Sequence, residues 1–385
     1  MLLTRHPINV VRPLGHYLRC STRRFSKVSD IAFVFDIDGV LLRGSKTLPT
    51  AKPALELLNE HKVPFILLTN GGGVTESARA NFLSSAIGVP ISPLQIVQSH
   101  TPMKAFAHNN QFDRVLVVGG DKDNARECAN EYGFKDVIMP IDIVNADPSI
   151  SAHHRIAAEE FKYALSPEKL NIEKPVSAIL VFNDARDMGT DTQIILDLLN
   201  SENGVIGTKR SITSINDKHK PSIPIVFSNN DFLWANDYKL PRFGQGALRI
   251  MIEALYKEVN GLKENEKLQS EILGKPFPIQ YDFAHNVLID WNTKMAENNT
   301  NDLNQLLPKL NEKPTNSPFR KIYMIGDNPA SDIMGANVNG WESLLLRTGV
   351  YKDADWDTIV AKPSAGVHDD VLESIRFALR ENSVM

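Results

Sequence analysis

"FVFDIDGVLL" (residues 33–42) is an apolar run of the kind that forms a strand buried on both faces, yet two aspartates interrupt it with one residue between them. In an extended chain, residues i and i+2 face the same way about 7 Å apart. Asp36 and Asp38 therefore repel by about 2 kcal/mol at an effective dielectric near 20. Out of water each carries a further desolvation cost. Two readings satisfy the pattern: a strand that ends in solvent with Asp38-Gly39 as turn chemistry, or a pair that belongs beside a cation. Residues elsewhere in the chain decide between them.

The 385-residue chain has room for two domains, and 42% hydrophobic with 23% charged residues is an ordinary globular composition. No stretch approaches 18 uninterrupted apolar residues, so no membrane-spanning helix is expected. Residues 1–29, "MLLTRHPINVVRPLGHYLRCSTRRFSKVS", carry Arg5, Arg12, Arg19, Arg23, Arg24 and Lys27 and no acid. That composition reads as a mitochondrial transit peptide, with the matrix as the expected compartment, and "RRFS" resembles a processing site with cleavage after Phe25. A basic arm touching nucleic acid is the alternative. Removing residues 1–25 takes five arginines, leaving 37 basic against 46 acidic residues and moving the net charge from −4 to −9. So acidic a protein is poorly suited to gripping a phosphate backbone, and no nucleic-acid partner is expected. The two cysteines, Cys20 and Cys128, exclude a disulfide framework or a cysteine-rich zinc site and fit a reducing compartment.

From Ile31 onward, short apolar runs alternate with helical patterns, as in an α/β fold with a doubly wound, Rossmann-like parallel sheet. "IAFVF", "VPFILLTNGGG", "RKIYMIGD" and "WESLLLRTG" read as strands; Lys52 to His61 reads as a helix, and Thr75 as the N-cap of another. Between the blocks, "RVLVVGGD", "AILVFNDARD" and "IPIVFSNND" supply strands enough for a second core. The expected division is a core from 30–107 and 244–385 with an inserted α/β domain at 108–243. On "QGALRIMIEALYKEV" the face Ala247, Ile250, Met251, Ala254 and Leu255 reads as core. Trp234, Arg242 and Trp341 read as packing residues, His153-His154 as solvated, and the polar 295–318 region as an insertion loop with a short helix.

Four polar groups fall at or just past strand ends: Asp36 with Asp38, Thr69 with Asn70, Lys275 in "ILGKPFP", and Asp327 with Asp332 in "GDNPASD". In an open parallel sheet such ends converge on one crevice. This ordered set resembles the four-motif signature of the haloacid dehalogenase (HAD) superfamily of phosphatases, over nearly all the chain from Ile31. The large insert resembles the α/β cap of the class IIA group, the nitrophenylphosphatase and NagD-like proteins. "TNGGG", "FSNNDFLWAN", "RFGQGALR" and "GDNPASDI" are similar to the mitochondrial branch related to cat-eye-syndrome critical-region protein five. One departure stands out. Gly71 to Gly73 occupy positions where other class IIA members often carry Asn-Ser or similar.

The resemblance implies Mg2+ as cofactor, and the chemistry agrees. A phosphomonoester is a dianion, which a carboxylate nucleophile cannot approach unless a metal neutralises both. Mg2+ prefers oxygen ligands and keeps waters, so a few carboxylates suffice. The expected roles are Asp36 as nucleophile and metal ligand, Asp327 as second carboxylate, Asp332 as anchor for a metal-bound water or Lys275, and the Asp38 carbonyl completing the shell. The Asp38 side chain serves as general acid, then base. Thr69, with the backbone at Asn70 and Gly71, holds the phosphate, and Lys275 supplies positive charge. Asn229 and Asp231, in "FSNND", are expected as substrate or hinge contacts from the cap. The expected substrate is a small phosphorylated metabolite, and the resemblance implies pairing into a homodimer. A two-component receiver domain is too short and lacks an insert. A weak or inactive HAD-fold binding or regulatory protein, linked to mitochondrial phospholipid metabolism, is the alternative function.

Overall fold

The computed structural model describes residues 29–152, 156–211, 217–234, 238, 240 and 242–385. Residues 1–28 of the expected leader and His153-His154 lie outside them. In chain order the main strands are β1 (Ile31–Phe35), β2 (Phe65–Leu68), β3 (Ile96–Val97), β4 (Arg114–Val118), β5 (Asp136–Ile138), β6 (Ala178–Val181), β7 (Ile225–Phe227), β8 (Glu271–Ile272), β9 (Lys321–Gly326), β10 (Glu342–Leu346) and β11 (Val367–His368). The longer helices are α1 (Ala51–Glu60), α2 (Glu76–Ile87), α3 (Asn124–Tyr132), α4 (Met188–Leu199), α5 (Gln245–Asn260), α6 (Pro278–Ala296) and α7 (Val371–Glu381).

The strands make two parallel sheets, one in the order β11-β10-β9-β1-β2-β3 and one in the order β8-β7-β6-β4-β5. Strand alternation explains why β1 is apolar throughout. Ile31, Phe33 and Phe35 pack on the side of α1, α2 and α7, while Ala32 and Val34 face Tyr281, Ala284, Val287 and Leu288 of α6. The second sheet is covered in the same way, by α3 on one face and by α4 and α5 on the other.

The insert is longer than the expected 108–243. Met103, Phe106 and Ala107 already lie in the second core. Helix α5 packs Leu248, Ile252 and Tyr256 with Leu198, Leu199, Ile225 and Phe227, and β8 pairs with β7, Glu271 opposite Val226. Residues 244–272 therefore belong with the second sheet, because the strand that closes its edge comes only after α5.

The buried face of α5 also differs from the expected one. Ile250, Met251 and Leu255 are 47%, 37% and 44% exposed, and Ala254 is exposed too; only Ala247 of that set is buried. The helix carries two apolar stripes, and the inner one ends in Tyr256, whose hydroxyl reaches the carbonyls of Lys218 and Lys220. Trp234 and Arg242 are exposed on a short antiparallel pair, Leu233–Trp234 with Arg242–Phe243, outside either core, with Arg242 over the Tyr238 ring at 4.7 Å. Trp341 does pack, against Tyr281 at 5.1 Å between ring centroids. No helix forms between Ala296 and β9. Pro308, Pro314 and Pro318 punctuate that stretch, which lays Leu307, Leu310 and Phe319 along the α6 core. No helix among the described residues is long and apolar enough to cross a membrane.

Truncation separates the two stripes of α5. Ile252→Ala or Tyr256→Ala is expected to cost about 2–5 kcal/mol of stability, and Ile250→Ser or Leu255→Ser less than about 0.5 kcal/mol. Urea-induced unfolding measures both, and the reverse ranking would restore the face read from the sequence.

Candidate active site

Three adjacent strands, β9, β1 and β2, end at the same level. Phe35 gives way to Asp36, whose N–H is held by the Ile325 carbonyl at 2.9 Å. The chain then turns, with Gly39 at φ +85°, where a Cβ would lie 2.4 Å from Asp327 Oδ2. Both the left-handed backbone and the close approach call for glycine there. Thr69 and Asn70 follow directly on β2, and Asp327 on Gly326 at the end of β9.

Lys275 reaches this point from beyond β8 and is 2% exposed. Its ammonium donates to Asp36 Oδ1 at 2.7 Å, Asp332 Oδ1 at 2.7 Å and the Leu68 carbonyl at 2.9 Å, using all three protons. Burial opposes its charge, but Asp332 and Asp36 outweigh that and hold it above the ordinary lysine value. Burial raises the Asp36 carboxyl well above the usual range, with Lys275 pulling it down and Asp332 and Asp327 pushing it up. Asp327 is pushed to about 7 by burial and by Asp332, while the Val350 N–H donates to its Oδ2 at 2.7 Å. Asp36, Asp327 and Asp332 each place a carboxylate oxygen within 4.8 Å of the others'. Fully ionised, three carboxylates against one ammonium leave two negative charges, which one divalent, oxygen-seeking cation would balance.

Asn70 joins the two units. Its Nδ2 donates to Asp231 Oδ1 and to the Lys275 carbonyl, each at 3.0 Å, and its Oδ1 accepts from the Lys275 N–H at 2.7 Å. Asn229 Nδ2 donates to the Asn70 carbonyl at 3.1 Å. Asn229 and Asp231 thus come from the second sheet to meet Asn70. The Gly71 N–H donates to Thr69 Oγ1 at 2.9 Å, leaving the Thr69 hydroxyl proton to point elsewhere. Asp38 reaches solvent, yet surrounding protein raises its carboxyl, against the pull of Arg79 and Lys275.

Residues 33–135 match the family described as haloacid dehalogenase-like hydrolase, and residues 272–374 the one described as HAD-hydrolase-like. A mitochondrial hydrolase of Saccharomyces cerevisiae is 49% identical over 88% of this chain and 93% of its own. The chain belongs to the haloacid dehalogenase-like hydrolases. A cardiolipin synthase (CMP-forming)/mitochondrial hydrolase fusion protein of Schizosaccharomyces pombe is 37% identical over 93% of this chain, which spans 54% of the fusion. Among solved structures, a p-nitrophenyl phosphatase from Archaeoglobus fulgidus has the same fold at 15% identity, with a TM-score of 0.55 over 91% of this chain and 99% of that one. This HAD hydrolase is mitochondrial, as these two relatives are named.

The ten residues expected at the HAD site are brought together; four neighbours were not foreseen. Arg79 follows the N-cap Thr75 by four residues, so its side chain leans back toward the helix start. Its Nη2 donates to the Gly72 carbonyl at 3.3 Å, and its charge acts on Asp38. That spacing was available in the sequence. Val350, whose backbone holds Asp327, left no signal, because any residue but proline supplies an N–H. Asp184, in the polar end of "AILVFNDARD", lies near Asp231 and is raised to about 6, mainly by burial. His100, the fourth, is treated below.

Lys275 neutralises buried charge, so Lys275→Met is expected to cost about 3–5 kcal/mol at neutral pH by leaving Asp36 and Asp332 unpaired. Adding Asp332→Asn should recover part of the loss, and unfolding of the single and double variants measures it.

Proposed function

We propose that this hydrolase is a Mg2+-dependent phosphatase that removes the phosphoryl group from a small phosphomonoester through an aspartyl-phosphate, in the mitochondrial matrix. The observation that carries the reading is the closure of Asp36, Asp327 and Asp332 around one point with Lys275 at its back.

Asp36, Asp327 and Asp332, with the Asp38 carbonyl, are the residues that would hold the cation, which when bound offsets the negative charge of phosphate and nucleophile. A carboxylate oxygen of Asp36 attacks phosphorus, and the bond to the ester oxygen breaks as the Asp38 carboxyl hands that oxygen a proton. Burial holds the Asp38 carboxyl above its ordinary value, which favours its protonated form. The Asp38 carboxylate next takes a proton from a water that attacks the aspartyl-phosphate, freeing Asp36 and inorganic phosphate. Thr69 donates to a non-transferring oxygen, and Lys275 stabilises the negative charge of the transition state.

With Asp36, Asp38 and Lys275 all in place, an inactive binding role has no feature in its favour. Among phosphomonoesters, one from phospholipid synthesis is supported by the S. pombe relative, whose other module is named cardiolipin synthase.

Protein lacking residues 1–25 is expected to hydrolyse an aryl phosphate with Mg2+ and to stop when the metal is chelated. Asp36→Asn should abolish turnover. Asp38→Ala should lower kcat by about 10²–10⁴, more on alkyl than on aryl phosphates because a phenolate leaves without full protonation. Steady-state kinetics over a panel of phosphorylated metabolites and phospholipid-headgroup phosphates tests all of this; metal-independent turnover, or an active Asp36→Asn, would overturn the reading.

A further inference from the structure

His100 lies on the segment that crosses from the first sheet to the second, and its side chain is wholly buried. The Gly73 N–H donates to His100 Nε2 at 3.1 Å. Because Nε2 accepts, the ring proton sits on Nδ1, which is 2.7 Å from the Tyr132 hydroxyl and donates to it. The Tyr132 hydroxyl donates to Glu76 Oε1 at 2.6 Å, an oxygen that also accepts from Thr101 Oγ1 at 2.6 Å. Lys104 closes the chain 3.1 Å from Glu76 Oε2. Donors and acceptors thus run in a single order from Gly73 to Glu76. Burial pushes the imidazole down to about 4, with Glu76 opposing and Lys104 and Arg79 assisting.

We propose that His100, through its bond to Gly73 and its contacts with the second unit, is the positioning residue that seats the Gly71–Gly73 loop and so sets the phosphate grip of Thr69 and Asn70. The proposal rests on the phosphatase reading above. Of the loop's tethers, the contacts from Arg79 to the Gly72 carbonyl and from the Ser99 N–H to the Gly71 carbonyl are long, at 3.3 and 3.5 Å. The His100 bond is shorter and buried, and the same ring stacks on Phe182 of the second sheet at 5.1 Å and 12°.

The glycine run is the counterpart of this ring. A Cβ on Gly72 would lie 2.6 Å from His100 Cδ2, and one on Gly73, at φ +82°, would lie 2.4 Å from Asn183 Nδ2. An Asn-Ser pair would not fit against the imidazole. His100 and the glycines therefore form one device.

His100→Leu keeps the bulk and removes the acceptor. Its KM for an aryl phosphate, and the inhibition constant of inorganic phosphate, are expected to rise at least tenfold together, with kcat within about threefold of wild type. His100→Gln, whose amide oxygen can accept from Gly73, should recover most of the loss. Tyr132→Phe leaves Nδ1–H without an acceptor and favours the tautomer that turns an N–H toward Gly73. It should raise KM several-fold although it lies beyond the ring, and it decides the matter if His100→Leu does not fold. An unchanged KM in both, or a loss confined to kcat, overturns the positioning role while the wild-type enzyme still turns over. A wild-type protein that hydrolyses no aryl phosphate fails the phosphatase reading, and the proposal falls with it.

Discussion

One ammonium group organises this molecule. Lys275 carries its charge into a region with almost no water, where it is tolerable only because Asp36, Asp332 and a backbone carbonyl take its three protons. The carboxylates in turn can be buried this close together only because the ammonium is there. Such an arrangement adds little net stability, since desolvation offsets most of the attraction. Its value is specificity of place. Residues separated by more than two hundred positions in the chain must arrive at one spot, or each is left as a costly isolated charge.

The sheets make that arrival possible. Parallel strands point their carboxyl ends the same way, so β1, β2 and β9 deliver Asp36, Thr69 with Asn70, and Asp327 to a common edge. The second unit is anchored where that edge is most polar, through Asn229 and Asp231 on Asn70. Asn70 is satisfied almost entirely by groups outside its own strand, so its side chain serves as the pin between the units.

Much of this could be read from residue order alone. Buried carboxylates inside apolar runs are expensive, so Asp36 and Asp327 advertise a purpose, and the glycines beside them advertise tight turns. The limits were equally physical. Helix α5 has two apolar stripes, and periodicity shows that a stripe exists without saying which sheet it meets. The insert's true end was hidden because a two-residue edge strand, Glu271–Ile272, carries almost no pattern. Val350 acts through its main chain, which composition does not encode. His100 and Tyr132 lie 32 positions apart, and only folding reveals that they are hydrogen-bonded.

Two described passages of chain join the two units, one near residues 99–103 beside the Gly71–Gly73 loop and one near 272–275 leading into Lys275. Lys275 stands three positions beyond the last residue of β8. The same short stretch therefore both joins the two units and carries the ammonium, so the packing of one unit on the other and the charge that Asp36 and Asp332 share are fixed by one piece of backbone.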